Sequence, residues 1–426
     1  MPFPQSFLDE LMARSDIVDV VGSYVQLTRK GANLFGLCPF HSEKTGSFSV
    51  SPDKQIYYCF GCKRGGGVIN FIMEEENLSF PDAVRFLAKR AGMEVPEEDG
   101  DREAGRRRQR LLDLNRDAAR FYYQMLQQPE GRAVQEYLDR RKIRRATAVN
   151  FGLGASLDAW DALILAMTKK CYTKSELLEA GLAVQNRNGG LYDKFRNRLI
   201  FPVIDVRGDV VAFGGRVLDK SEPKYMNSQE TPVYSKRRVL YGLNLAKKSK
   251  RSNIILCEGN IDVVTLHQAG FDNAVASMGT ALTVEQTRLL SRFTKELVLC
   301  YDNDNAGKIA TERALEILNN SEFSVKVLQL PRRRTEDGKL VKQDADDFIK
   351  LQGKDAFEAL LTGSENGIEF RMAQAAGKYD LSSDEARVAY CEEVSALLAA
   401  LANPVEREIY TTRAAETAKI TPEAMR

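Results

Sequence analysis

The chain has 426 residues and a mass of 47.7 kDa, too long for one simple domain and suggesting two to four. Its 43% hydrophobic and 28% charged residues exclude wholesale disorder and collagen-like repeats, and 61 basic against 59 acidic residues leave a net charge of +2 that identifies no partner. No run approaches the roughly 18 apolar residues of a membrane span, no secretory signal opens the chain, and seven cysteines suit a reducing cytoplasm better than a disulfide scaffold.

In chain order, residues 1–95 read as a compact module. Ser6 to Leu11 opens a short amphipathic helix, turn-rich alternating strands follow from Leu34 to Tyr58, and a glycine run at 65–67 leads into Val68-Ile69-Asn70-Phe71-Ile72. A helix is predicted from Phe80 to Ala91, with Ser79 as its cap and Pro81 in the first turn. Residues 96–110 mix charge with Pro and Gly and read as a linker. From Arg102 to Arg145 there are 13 basic against 6 acidic residues, and most of this basic stretch reads as helix. A mixed, basic subdomain occupies 111–245. Short apolar strands then alternate with helical patterns over 246–355, at Ile254 to Cys257, Ala274 to Ala276, Leu297 to Cys300 and Val325 to Leu328, which implies a parallel sheet with both faces covered. Residues 356–426 read as helices only. The expected class is multidomain α/β (α+β): a zinc ribbon, a basic mixed subdomain, a parallel-sheet subdomain and a helical subdomain.

Two constellations carry chemistry. Cys38-Pro39-Phe40-His41 and Cys59-Phe60-Gly61-Cys62 are two knuckles whose four side chains would close a tetrahedral shell around one structural Zn²⁺. Three of seven cysteines and one of two histidines in that spacing disfavour the reading as small buried hydrophobes. Lys44, Lys54, Lys63 and Arg64 interleave with Phe48, Tyr57, Tyr58 and Phe60, which suits single-stranded nucleic acid and a packed aromatic core equally.

The second constellation is acidic. Glu258 follows one strand and Asp262 lies a helical turn later; Asp302 and Asp304 follow another strand, and Asp344 and Asp346 follow the last. One such pair alone would read as helix caps. Three sets at the carboxyl ends of parallel strands read as a site for hard divalent cations, because clustered carboxylates repel unless neutralised. A P-loop is excluded, since Gly307-Lys308 is followed by Ile309, and Gly152-Leu153-Gly154 lacks the third glycine of a dinucleotide fingerprint. His267 reads as a surface or core histidine.

Together with Lys194-Phe195-Arg196-Asn197-Arg198-Leu199-Ile200-Phe201-Pro202, Gly214-Gly215-Arg216 and Lys224-Tyr225-Met226-Asn227-Ser228, these motifs closely resemble the bacterial DnaG-type DNA primases over nearly the whole chain. The acidic set resembles the Toprim metal site that primases share with topoisomerases and some nucleases. The resemblance implies RNA primer synthesis on single-stranded DNA from ribonucleoside triphosphates, with Glu258, Asp302 and Asp304 holding Mg²⁺ or Mn²⁺ and Asp262, Asp344 and Asp346 completing or supporting the cluster. It implies template or nucleotide contacts for Arg196, Arg198, Arg216, Lys224, Tyr225, Asn227 and Lys236, and a tethered zinc module that engages the template. The family's proline between the last aspartates is Ala345 here, with the carboxylate spacing kept. Family members continue into a domain that docks the replicative helicase; the chain ends at Arg426, so either the sequence is a fragment or the protein lacks that domain, the docking domain is expected to be absent from this chain, and the protein is expected to be a cytoplasmic monomer at the replication fork. The rivals are a Toprim nuclease, a topoisomerase, for which there is no room for a tyrosine-bearing gate domain, and a non-catalytic zinc/Toprim DNA-binding protein of the recombination type, a class about half this length.

Overall fold

The computed structural model describes residues 3–425, apart from 42, 44, 77, 96–98, 220, 320, 335–338 and 402, and leaves aside the side chains of 99–102 and 340. Lys44 of the basic fringe and residues 96–98 of the expected linker lie outside the described residues. The chain forms two compact units, Met1–Arg110 and Leu111–Arg426.

The first unit is a five-stranded antiparallel sheet in sequential order: β1 (Thr28–Lys30), β2 (Asn33–Gly36), β3 (Phe48–Ser51), β4 (Ile56–Cys59) and β5 (Gly65–Gly66). Along β4 the pleat turns Tyr57 and Cys59 inward and Ile56 and Tyr58 outward, the period-2 pattern of a half-buried strand. Helices Gln5–Arg14, Ile17–Gly22, Val68–Glu75 and Phe80–Arg90 complete a core that buries Leu11, Ile17, Phe48, Val50, Tyr57, Phe71 and Leu87. The Phe80–Arg90 helix begins where expected, the Ser79 hydroxyl accepting the Asp82 N–H.

The segment expected as an irregular linker is helical from Asp99, within one helix running to Gln127. The physical reason lies downstream. Leu111, Leu114, Ala118, Tyr122 and Leu126 recur at spacings of three and four and are all buried, and this stripe propagates the helix backward through arginines that have good helix propensity.

In the second unit, β6 (Gly154–Ser156), the hairpin β7 (Ala183–Gln185) and β8 (Leu191–Asp193), and then β9 (Arg198–Ile204), β10 (Val210–Val217) and β11 (Tyr225–Asn227) make up the basic subdomain. Its main sheet is antiparallel in the order β11-β10-β9-β6. The parallel sheet follows: β12 (Asn253–Cys257), β13 (Ala274–Ala276), β14 (Glu296–Cys300) and β15 (Ser324–Val327), in the order β13-β12-β14-β15. Alternate residues serve opposite cores. Ile255, Cys257, Val298 and Cys300 join one cluster; Ile254, Leu256, Leu297 and Leu299 join the other. Burial on both faces is why these strands read as unbroken apolar runs.

Two features depart from the sequence expectation. A two-stranded ribbon, β16 (Arg333–Arg334) with β17 (Leu340–Val341), interrupts the return from β15, and β18 (Glu365–Asn366) adds an antiparallel edge strand where helices alone were expected. Strands of two residues are too short to show a period. Helices Gly367–Lys378, Asp384–Ala399 and Pro404–Ala418 then pack around their own core of Tyr390, Val394, Ala414 and Ala415. The multidomain α/β class is as expected, and no described helix is long and apolar enough to cross a membrane.

Candidate metal centres and nucleic-acid groove

The zinc ligands converge at one end of the small sheet. Cys59 ends β4, Cys62 lies on the turn that follows, and Cys38 and His41 come from the loop after β2. Their donor atoms all lie within 4.8 Å of one another. Cys38 Sγ is 3.8 Å from Cys62 Sγ, and Cys59 Sγ is 3.7 Å from His41 Nδ1, close to the edges of a tetrahedron with metal–ligand bonds of about 2.0–2.3 Å. The donor set and its spacing fit Zn²⁺. The backbone N–H groups of Phe40 and Cys62 point at Cys38 and Cys59 sulfurs, as they do in knuckles that stabilise thiolates. Behind His41, Glu43 stands 3.4 Å from Nε2 and accepts from the N–H groups of Cys38 and Ser47 and from the Ser47 hydroxyl. Burial opposes the Glu43 charge, but the Ser47 and Cys38 donors outweigh it and hold its pKa below the ordinary carboxylate value. A carboxylate on the far nitrogen fixes which nitrogen faces the metal. The aromatic set divides: Phe48 and Tyr57 stack in the core at 5.4 Å, while Tyr58 and Phe60 stay 39% and 58% exposed.

At the parallel sheet, Cys257 and Cys300 are register partners, so Glu258 and the Asp302–Asp304 turn leave the sheet at the same level. Glu258 Oε1 accepts the Asp302 N–H at 3.1 Å. Lys342 Nζ donates to Asp302 at 3.2 Å and to Asp304 at 2.9 Å, so one ammonium bridges both carboxylates. Burial raises the Glu258 acid and the Asp302 charge adds to it, while the Gly307 N–H and then Lys342 lower Asp304. Asp304 also caps helix Asn305–Leu318 through Gly307, and there glycine is obligatory: a Cβ would stand 1.9 Å from the Asp302 carbonyl oxygen.

The other three acids play a different part. Asp346 is fully buried and held by Arg141 and Lys350, each at 2.5 Å, and by the Thr265 hydroxyl at 2.6 Å. Its N–H in turn donates to Asp262, whose acid is pushed well up by burial and then by Asp344 and Asp302. Asp344 caps helix Ala345–Thr362 through the Asp347 N–H, and its carboxylate groups with those of Asp346 and Asp347. Thus Glu258, Asp302 and Asp304 form an open edge, and Asp346 is a closed ion-pair hub.

Of the residues expected at nucleic acid, Arg196, Lys224, Tyr225 and Lys236 keep accessible surface. Arg198 is buried and donates to the carbonyls of Pro223 and Gly215. Arg216, also buried, lies 5.2 and 5.0 Å from the Tyr137 and Tyr225 rings and donates to the Tyr225 hydroxyl. Asn227 donates to the Met278 carbonyl, tying β11 to the loop after β13. Sequence reasoning missed Trp160, which is 66% exposed and carries the Arg196 guanidinium 4.1 Å above its ring, with Tyr192 5.0 Å from the same guanidinium. Lys194 opens the basic stretch quoted for the resemblance. Lys194 is buried, with its ammonium destabilised by burial and by Lys236, and among the described residues no carboxylate pairs with either lysine. His267 is a core residue, bonded to the Ala274 carbonyl and edge-on to Phe151.

A zinc-ligand module followed by a parallel sheet with an open carboxylate edge defines the zinc/Toprim class of nucleic-acid proteins. Residues 3–103 match the family described as CHC2 zinc finger, 121–247 the DNA primase catalytic core, N-terminal domain, 255–349 Toprim-like, and 368–423 the DnaB-helicase binding domain of primase. The DNA primase of Clostridium acetobutylicum is 41% identical over 99% of this chain and 69% of its own length; that of Pseudomonas aeruginosa is 44% identical over 84% of this chain and 54% of its own. The solved Aquifex aeolicus primase, zinc-binding and RNA polymerase domains, covers 98% of both chains at 31% identity with a TM-score of 0.61, and a DnaG primase catalytic domain bound to ssDNA covers 73% of this chain and 99% of its own at 32% and 0.64. The chain belongs to the bacterial DnaG-type DNA primase family, and its activity is RNA primer synthesis on DNA. The nuclease and recombination-type readings are thereby set aside. One expectation is overturned: the helicase-binding region is present, at 368–423. In the sequence 356–426 reads only as a helical subdomain, because an amphipathic helix looks the same whichever surface it serves.

Proposed function

We propose that Glu258, Asp302 and Asp304 hold Mg²⁺ or Mn²⁺ and that the groove beside them carries single-stranded template. Held by these three carboxylates, such ions would supply the positive charge that favours ionisation of the attacking 3′-hydroxyl and offsets the charge of the triphosphate and leaving pyrophosphate. The protein's part is positioning. The Asp302 N–H orients Glu258, the Gly307 N–H orients Asp304, and Asp346 with Arg141 and Lys350 supports Asp262 and Asp344 from behind. Lys194, Lys224, Lys236 and Arg196 neutralise phosphates, Trp160 and Tyr225 offer stacking faces, and Arg198 and Arg216 brace the sheet that presents them. The zinc module engages template, residues 368–423 dock the replicative helicase, and the protein works in the cytoplasm at the fork.

The observation that carries the metal reading is the bridging of Asp302 and Asp304 by one ammonium: a cation already stands where the carboxylates converge. The test is de novo synthesis on unprimed single-stranded DNA with ribonucleotides and Mg²⁺. Wild type is expected to yield short triphosphate-capped RNAs, and Asp302→Asn roughly 10²–10³-fold less at an unchanged unfolding midpoint. Equal yields from the two proteins would overturn the assignment.

A further inference from the structure

Beside the carboxylate edge, the β16–β17 ribbon carries three consecutive arginines for which the site described so far has no use. Arg332, Arg333 and Arg334 are all exposed, and among the described residues no carboxylate pairs with any of them. Guanidiniums set side by side repel one another unless solvent or a polyanion screens them. They cap no helix, and among the described residues they stack on no ring.

Both feet of the ribbon stand on the catalytic turn. At the entry, the Asn303 side-chain amide donates to the Leu330 carbonyl at 3.1 Å. At the exit, Lys342, the residue after β17, bridges Asp302 and Asp304. Arg333 pairs with Val341 and Arg334 with Leu340, an antiparallel register between those anchors. The ribbon that carries Arg333 and Arg334, with Arg332 just before it, is therefore anchored at both ends to the turn that bears Asp302 and Asp304.

Composition separates this ribbon from the neighbouring groove. Around Arg196 and Lys224 the cations interleave with Trp160, Tyr192 and Tyr225, a pattern that stacks unpaired bases. From Pro331 to Lys342 the sequence has no aromatic residue at all. Cations without stacking faces read only phosphate. The nucleotide just joined at Asp302 and Asp304 is, by the nature of templated synthesis, paired; its base is occupied and its phosphates are what it still offers.

We propose that Arg332, Arg333 and Arg334 form a phosphate-binding arm that grips the backbone of the paired primer–template at the catalytic edge. This rests on the polymerase reading above, and the test separates the two. In the full-length chain, the triple variant Arg332→Gln, Arg333→Gln, Arg334→Gln is compared with wild type by fluorescence anisotropy. One probe is a labelled RNA annealed to a longer DNA template, the other the same template alone, each titrated over a range of KCl. Primer–template affinity is expected to fall about tenfold or more, with the slope of log K against log salt reduced by about 2 to 3, while single-strand affinity stays within about twofold. The corresponding triple lysine variant is expected to keep the slope, since phosphate neutralisation needs the charge rather than the fork. Unchanged duplex binding, an equal loss on both probes, or a lysine triple as weak as the glutamine triple would overturn the arm. A wild type that bound neither probe would overturn the polymerase reading and the arm with it.

Discussion

The zinc centre and the Toprim edge both gather acidic or soft ligands, yet they solve opposite problems. At the zinc site four donors come from two short turns of one small sheet, and each knuckle is shaped by its own backbone N–H groups. At the Toprim edge the carboxylates come from three segments, 258–262, 302–304 and 344–346, and their repulsion is met by cations from elsewhere: Lys342 on the open side, Arg141 and Lys350 on the closed side. The first centre is a property of local sequence and the second a property of topology. A local centre fails with its ligand. A topological one divides its residues between chemistry and support.

The largest effect expected from this contrast is at the zinc. Cys59→Ser is expected to lose the ion and with it on the order of 10 kcal/mol of metal-coupled folding free energy, seen as absent zinc and loss of cooperative unfolding of the Met1–Arg110 unit. Cooperative unfolding without zinc would break the comparison, because the module would then stand on its apolar core alone. Next comes Asp346→Asn. Two cations paired to a fully buried carboxylate would be left uncompensated, and a loss of roughly 3–5 kcal/mol is expected in urea unfolding, whereas Asp302→Asn should leave the midpoint nearly unmoved. Similar midpoints for the two would erase the division between hub and edge.

The smallest effect sharpens the comparison with a carboxylate that has neither a metal role nor an ion pair to hold it. Asp193 accepts the N–H groups of Leu163 and Ile164, yet burial pushes its acid from 3.8 up to about 6. A raised carboxyl favours folding in its protonated form, so its contribution is complete below about pH 4 and is lost as pH rises through about 6. Urea midpoints should therefore show a decline on the order of 2 kcal/mol across that window in wild type, and a flatter profile in Asp193→Asn.

Legibility in the sequence followed the same division. Cys38, His41, Cys59 and Cys62 could be read from spacing because tetrahedral coordination constrains neighbours in sequence. The strands ending in Cys257 and Cys300 could be read because burial on both faces leaves unbroken apolar runs. The partnership of Asp346 with Arg141, 205 residues away, could not, because no local pattern encodes a contact across the fold. Arg198 and Arg216 did carry a signal: Arg198 opens an otherwise apolar strand and Arg216 interrupts another, where a charge survives only if it is bonded inside. Trp160 carried none, since a lone aromatic in a loop has no period to betray its side. The helices of 368–423 were legible as helices, while the surface they serve was not.

Trp160 has one more consequence. It is the only tryptophan in 426 residues, and it stands exposed with a guanidinium 4.1 Å above its ring. All of the molecule's indole emission therefore arises at a single address. On the template contact proposed for Arg196, a base that displaced its guanidinium from the ring would change the emission directly, and the protein's own fluorescence would then report the arrival of an unlabelled strand separately from events at the zinc or at the carboxylates.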